Sequence, residues 1–148
     1  MLNLDTNQRI VDALRKQGYK ATPQRIAIAQ TVLRSQNHPS AETIHAEVLR
    51  LHPTVSLSTV YNTLHILRDM NFLNELTLNG TTRYDPNVSL HINMICQHCG
   101  KIIDVEDQSL EESITNIAKK RGFKITGQRV DVYGICKPCQ KHEQGSAL

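Results

Sequence analysis

A chain of 148 residues has room for one ordinary domain or two small ones. It is 39% hydrophobic, enough for a packed core, yet it has no Trp and only two Phe, so a small module within it gains from a metal staple. No apolar stretch approaches the length of a membrane span, and Met1-Leu-Asn-Leu-Asp5 lacks a signal peptide's apolar region, which points to the cytoplasm, no membrane partner and reduced thiols. The net charge of +3 hints at a polyanionic partner but is too small to argue for nucleic acid by itself.

The first part is helical. Residues from about Asn7 to Gln17 carry Ile10, Val11 and Leu14 and stop at Gly18. Thr22 caps the next helix, with Pro23 at its first position and Ile26, Ala29, Val32 and Leu33 following at helical spacing. His38-Pro39 breaks that helix. Ser40 caps a third, whose apolar stripe is Ile44, Val48 and Leu51 and which Pro53 ends. Ser56 caps a fourth. Leu57, Val60, Leu64 and Leu67 lie on one face of it, and Ser58, Thr59 and Asn62 lie opposite, with Tyr61 near the boundary.

After Asn71 the pattern changes. Phe72 to Leu78 and Thr81 to Asp85 are short and β-rich, joined by Asn79-Gly80, the strongest two-residue hairpin signal. Helices followed by a small hairpin suggest a winged helix-turn-helix, in which the second helix of the pair enters the major groove. The polar face of the fourth helix suits that role, because Ser58 and Thr59 are small, Asn62 can pair with a base edge, and Tyr61 lies beside it. Lys20, Arg25 and Arg83 are the candidates for phosphate contacts. The competing reading is a helical bundle whose polar face simply meets water.

The second part starts near Pro86, which divides the chain into residues 1–85 and 86–148. His91 to Cys96 alternates as a strand, with His91, Asn93 and Ile95 on one face and Ile92, Met94 and Cys96 on the other. Lys101 to Val105 is a second strand. Ser109-x-x-Glu112 has the form of a capping box and opens a helix with Leu110, Ile114, Ile117 and Ala118 on one face, ended by Gly122. Phe123 to Ile135 is β-rich, with Gly127 and Gly134 as interruptions, and a polar tail runs from about His142. The fold class is therefore α+β: an N-terminal winged helix-turn-helix domain, then a small α/β domain. Three strands leave exposed edges that a twofold partner could cover.

The four cysteines fall in two C-x-x-C pairs, Cys96/Cys99 and Cys136/Cys139, with 36 residues between the pairs. Two knuckles of this spacing present four soft sulfur ligands, the tetrahedral shell that Zn2+ prefers, with no position open to water; the site is expected to be structural rather than catalytic. Gly100 and Pro138 favour the tight turns a knuckle needs. The rival is a redox pair, but a thioredoxin-like motif opens a helix after a strand, whereas Cys96 precedes Gln97-His98 and a Gly-Lys turn.

A second cluster of candidate ligands surrounds the domain junction: His38 in a loop, Asp85 at the end of the wing, His91 and Asn93 two apart on a strand, and Asp104 on its neighbour. Imidazole with carboxylate oxygen suits Fe2+ or Mn2+ better than an all-sulfur shell does. Each residue also has a plain alternative: a loop histidine, a turn former before Pro86, an exposed strand residue, a satisfied core amide. A mononuclear metalloenzyme built on these ligands would need acid-base groups and a substrate pocket, and the chain carries no motif for either.

Taken together, Thr22-Pro-Gln-Arg25, His38-Pro-Ser-Ala41, Ser58-Thr-Val-Tyr-Asn62, Arg83-Tyr-Asp85, Cys96-Gln-His-Cys-Gly-Lys101 and Tyr133-Gly-Ile-Cys136 resemble, in order and spacing, the ferric uptake regulator family, and more narrowly its peroxide-regulating branch. The resemblance spans roughly residues 7 to 141. It implies a homodimeric, non-enzymatic regulator with a winged-helix domain and an α+β dimerisation domain, structural zinc on Cys96, Cys99, Cys136 and Cys139, and a regulatory iron or manganese site on His38, Asp85, His91 and Asp104. The fifth position is usually histidine in the family and is Asn93 here. Asp104 in place of Glu, and Asn62 in place of Arg, favour the peroxide branch. The implied function is peroxide-responsive repression at a pseudo-palindromic operator, with His38 and His91 as the oxidised ligands, Tyr61 and Asn62 as DNA contacts and Lys20 reaching toward the groove. No small-molecule substrate beyond metal and hydrogen peroxide is implied. A regulator that senses iron, manganese or zinc as such is the alternative within the family. His45, His52, His65, His98 and His142 have no role in this reading.

Overall fold

The computed structural model describes residues 4–145. Met1 to Asn3, the last three residues of the polar tail and the side chains of Leu4, His142, Glu143 and Gln144 lie outside the described residues. The chain forms two compact units, Met1–Val88 and Ser89–Leu148.

The first unit comprises α1 (Leu4–Lys16), α2 (Pro23–Arg34), α3 (Ala41–Val48), α4 (Leu57–Asp69), β1 (Asn74–Leu78) and β2 (Thr81–Asp85). Three of its helix starts are set by hydroxyl caps: Thr22, Ser40 and Ser56 accept from the backbone N–H groups of Arg25, Thr43 and Thr59. The ends of α1 and α4 follow one geometry. At Gly18 (φ 80) and Asn71 (φ 64) the chain turns left-handed, and the next residue's N–H closes back on the helix, Tyr19 to Leu14 O at 2.8 Å and Phe72 to Leu67 O at 2.9 Å. These stops let α1, α2, α3 and α4 fold back on one core of Ile10, Leu14, Ile28, Ala29, Val32, Ile44, Val48, Val60, Leu64, Leu67, Leu73 and Tyr84.

The hairpin pairs β1 with β2 antiparallel, Asn74 opposite Asp85 and Leu78 opposite Thr81. Asn79 (φ 50) and Gly80 (φ 77) make the turn, as Asn-Gly predicts. The helical stripes differ in detail from expectation. In α2 the buried centre is Ile28, with Ile26 half-buried, and the helix stops at Arg34 rather than at His38-Pro39. Helix α3 ends at Val48 before Pro53 is reached, so Leu51 is not on its stripe and stands 81% exposed.

The second unit comprises β3 (Ile92–Cys96), β4 (Ile102–Val105), α5 (Gln108–Lys120), β5 (Val130–Gly134) and α6 (Lys137–Gly145). Its sheet has the order β4-β3-β5, antiparallel between β3 and β4 and parallel between β3 and β5. The cap of α5 is Asp107, not Ser109: its carboxylate accepts from Leu110 N–H at 3.0 Å, and Ser109 lies inside the first turn, bonded to the same carboxylate. A carboxylate at the N-terminus gains the helix dipole as well as the hydrogen bond, so the acidic residue wins over the hydroxyl two positions on. Gly122 (φ 63) ends α5 as expected, with Phe123 N–H on Ala118 O. The β-rich stretch from Phe123 yields a strand only over Val130–Gly134, and Phe123 itself is 74% exposed. Helix α6 occupies a stretch whose sequence suggests only a cysteine-bearing turn and a polar tail.

Substituting Leu64→Ala removes a fully buried side chain from the centre of the helical core. It should destabilise the first unit by about 2–5 kcal/mol, read as a lowered urea midpoint of the helical circular-dichroism signal.

Candidate metal centres and nucleic-acid face

Strand β3 delivers Cys96 at its end, where the chain turns immediately. Gly100 N–H donates to Cys96 O at 2.9 Å, Gly100 takes φ 73, and Cys96 N–H donates to Lys101 O at 2.9 Å, so Cys96 and Cys99 share one knuckle. Strand β5 runs alongside and hands Cys136 to the start of α6, which carries Cys139 in its first turn. One ligand atom from each of the four lies within 4.8 Å of the others. Cys99 Sγ and Cys136 Sγ are 3.7 Å apart, far from a bonded disulfide. Zinc–sulfur bonds of about 2.3 Å place the corners of a tetrahedron roughly 3.8 Å apart, so the sulfurs stand at the spacing of a four-thiolate zinc shell.

The electrostatics agree with that fit. The backbone N–H groups of Cys136 and Cys99 draw the Cys96 thiol down to about 6, while the neighbouring Cys136 sulfur and burial push Cys139 up to about 12. Four thiols this close cannot all lose their protons without a cation among them, and one divalent ion relieves that repulsion. The site has four protein ligands and no open position, the form of a structural centre. The first C-x-x-C ends a strand and turns, which argues against a redox pair as the sequence suggests, but the second does open a helix after a strand, because α6 follows β5. The proximity of all four sulfurs decides for metal instead.

Each unit also holds candidate nitrogen and oxygen ligands. In the first, His38 sits in the loop before α3 with φ 46, buried, its Nε2 3.7 Å from Asp85 Oδ2. That is too long for a hydrogen bond and within the range two ligands of one ion adopt. The other carboxylate oxygen, Oδ1, accepts Asn87 N–H at 2.8 Å. Tyr84 N–H donates to Pro39 O at 3.0 Å, which straps the loop to β2.

In the second unit, His91, Asn93 and Ile95 do share the buried face of the strand, as alternation predicts, and Met94 faces out. His91 Nδ1 lies 2.9 Å from Ser89 O, a carbonyl that can only accept, so Nδ1 carries the proton. His91 Nε2 is 3.1 Å from Asn93 Oδ1 and 3.8 Å from Asp104 Oδ1. Imidazole, carboxylate and amide oxygen form a donor set suited to Fe2+ or Mn2+ and distinct from the sulfur site. Sequence reasoning misses Asp131, whose carboxylate receives the Asn93 amide N–H at 3.1 Å; it lies in a stretch legible only as β-rich.

On the polar face of α4, Ser58 and Asn62 are exposed, and Thr59 and Tyr61 are half-buried. Tyr61 OH donates to Glu42 on α3 at 2.6 Å, which raises the tyrosine and lowers the glutamate from their ordinary values. Arg25 donates to Lys20 O at 2.9 Å and lies 5.7 Å from the centre of the Tyr19 ring. Arg83, on β2, reaches the His38 carbonyl at 3.5 Å. Two histidines to which the sequence assigns no role have structural ones: His45 Nε2 meets Val55 O at 2.9 Å, and His65 lies 3.9 Å from Glu75 on β1. His98 is an exposed residue of the knuckle.

Helices followed by a wing, with a separate unit stapled by four thiolates, define a metal-binding winged-helix regulator. The ferric uptake regulator family model matches residues 16–133. The peroxide operon regulator of Bacillus subtilis is 36% identical over 90% of this chain and 92% of its own. Among solved structures, the Helicobacter pylori ferric uptake regulator Fur superposes with a TM-score of 0.79 at 30% identity, over 93% of this chain and 94% of that one; its structure is described as revealing three functional metal binding sites. The Campylobacter jejuni peroxide stress regulator gives 0.71 at 33% identity, over 88% and 98%. The chain belongs to the ferric uptake regulator family, whose members are dimeric, metal-dependent DNA-binding regulators rather than enzymes. No helix among the described residues is long and apolar enough to cross a membrane.

Replacing Cys139 with Ser removes a buried sulfur from the zinc shell. Bound zinc should fall from about one ion per chain toward none, with loss of the folded second unit, measured by atomic emission and by the amide NMR spectrum of residues 89–145.

Proposed function

We propose that the protein is a metal-dependent, peroxide-responsive transcriptional repressor that acts in the cytoplasm as a homodimer on pseudo-palindromic operator DNA. The observation that carries this reading is the separation of two donor chemistries in a chain so similar to a peroxide operon regulator. A closed sulfur site serves the fold, and nitrogen and oxygen ligands are left for a second, exchangeable ion.

In this reading His38 and Asp85 contribute from the first unit, and His91, Asn93 and Asp104 from the second. A shared ion fixes the position of each α4 helix in the dimer, and with it the half-site spacing. Binding favours the DNA-competent form only by the difference in affinity between the two forms. Ser58, Thr59, Tyr61 and Asn62 face the bases, and Lys20, Arg25 and Arg83 the phosphates; the Glu42 contact holds the Tyr61 ring in a defined rotamer. Ferrous iron held by these residues would supply the redox chemistry that opens the O–O bond of peroxide, with the histidine, not the iron, as the net two-electron reductant. The imidazole of His38 or His91 gains one oxygen atom, and the rest of the peroxide leaves as water. An oxidised imidazole is a poor ligand, so the two units lose their tie and DNA is released. Manganese in the same place holds the tie without that chemistry.

Fluorescence anisotropy on a family-type palindrome at fixed salt tests this. Zinc-loaded protein should bind with manganese or ferrous iron, and a small dose of peroxide should abolish only the iron-dependent signal, with added oxygen found by mass spectrometry on His38 or His91 and not on cysteine. Binding switched on by metal but indifferent to peroxide would instead make the protein a sensor of metal level. Asn62→Ala should weaken operator binding by about 1–3 kcal/mol, with the metal dependence retained.

A further inference from the structure

The sheet of the second unit sets three side chains in one row. Asn93 on the central strand pairs with Asp104 on one side and Asp131 on the other, so a neutral amide stands between two carboxylates. An amide can present either its oxygen or its NH2 group to a neighbour, and the two carboxylates, which only accept, both favour the NH2. Asp131 takes it: Asn93 Nδ2 donates to Asp131 Oδ1 at 3.1 Å. Arg129 fixes the acceptor in turn, with Nη2 2.7 Å from Asp131 Oδ2. Asn93 is 1% exposed and the Asp131 side chain 11%, so water competes little for these bonds.

With its NH2 held by Asp131, the carboxamide has one orientation left, and Oδ1 faces His91 Nε2 at 3.1 Å. The other end of that imidazole is fixed by Ser89 O at 2.9 Å, which places the ring proton on Nδ1. Two potential ligand atoms therefore stand side by side, 3.1 Å apart. Metal–nitrogen and metal–oxygen bonds of about 2.1 Å, meeting near a right angle, put their ligand atoms roughly 3 Å apart.

We propose that Arg129 and Asp131 are positioning residues for the regulatory ion, locking the Asn93 carboxamide so that its oxygen is a metal ligand beside His91. This rests on the reading of His38, Asp85, His91 and Asp104 as that ion's other ligands. An amide left to turn would offer the cation its NH2 half of the time. The Arg129–Asp131 pair removes that alternative, and so makes a weak, neutral ligand dependable.

Manganese titration of the zinc-loaded full chain, followed by the electron paramagnetic resonance signal of free Mn2+, tests both layers. The Asp85→Ala variant should abolish the second site; if it binds manganese as the native protein does, the reading of the site fails. Asn93→Leu and Asp131→Leu should each weaken binding by ~10- to 100-fold, and Arg129→Gln by less. The deciding measurement is Asp131→Leu in the Asn93→Leu background, which should cause no further loss, because Asp131 acts only through the amide. Equal losses from Asp131→Leu in both backgrounds, or native affinity in Asn93→Leu while Asp85→Ala still abolishes binding, would overturn the proposal and leave the site reading standing. Should the leucine variants fold poorly, the native protein labelled with 15N at asparagine gives a second readout. The Asn93 NH2 protons should be protected from exchange with solvent, lose that protection in Asp131→Ala, and broaden at the first equivalent of Mn2+. NH2 protons that exchange as fast as those of an exposed asparagine, or that Mn2+ leaves unbroadened, would contradict the proposal.

Discussion

The mutual repulsion of four thiolates, relieved by one cation, is what the second unit depends on. Among its described residues the buried hydrophobic side chains are Ile95, Cys96 and Cys139, and α5 contributes none. So thin a core cannot offset the conformational entropy of ordering sixty residues or so. The sulfur site takes over that role, joining the end of β3 to the start of α6 at a point where little apolar area is buried. Met94, Ile103, Ile117, Phe123, Val132 and Tyr133 are all substantially exposed. Apolar surface of that extent on a unit this small suits burial against a second copy, in keeping with the dimeric habit of the family.

The first unit stands on different physics. It has a continuous helical core, hydroxyl caps and left-handed helix stops, and it can carry local strain. His38 is the position where it does so. A non-glycine residue at φ 46, immediately before a proline, costs on the order of 1–3 kcal/mol. The core holds the conformation in place through β2, whose Tyr84 N–H and Arg83 guanidinium both reach the loop backbone. The wing thus has a second duty beside any contact with DNA. It fixes the backbone that carries His38, and Asp85, its last residue, lies opposite that histidine's ring.

What is legible in the sequence is what local rules decide. Thr22, Ser40 and Ser56 cap because a hydroxyl before a helix has one good use, and Asn79-Gly80 turns because few other pairs tolerate two positive φ angles. The cysteine spacing defines a ligand shell without reference to fold. Misreadings arise where two local signals compete or where distance in sequence is large. Asp107 and Ser109 could both cap α5, and electrostatics chose between them. Leu51 continues a stripe on paper, but the helix under it has ended. The extent of β5 depends on pairing with β3, thirty-odd residues away, and so does the meeting of Asp131 with Asn93. Periodicity puts His91 and Asn93 on one face, yet it carries no information about which strand lies beside them.

Asn93 sets the character of the proposed regulatory site. An imidazole at that position would bring a stronger donor and a second oxidisable ring; an amide brings neither. With Asn93 as ligand, three oxygens and two imidazole nitrogens surround the ion, a set biased toward harder cations than a three-nitrogen set would be. Weaker binding moves the metal concentration at which the two units are tied upward, because occupancy depends on affinity while the conformational bias depends only on the difference in affinity between forms. In the proposed reading an amide there leaves His38 and His91 as the imidazoles open to oxidation. Those two residues belong to different units, and in that reading oxidation of either one alone would cost the ion an imidazole. A site of that kind, weak and easily lost once a single histidine is modified, would suit a switch and not a structural staple, and the cysteines show what the staple looks like.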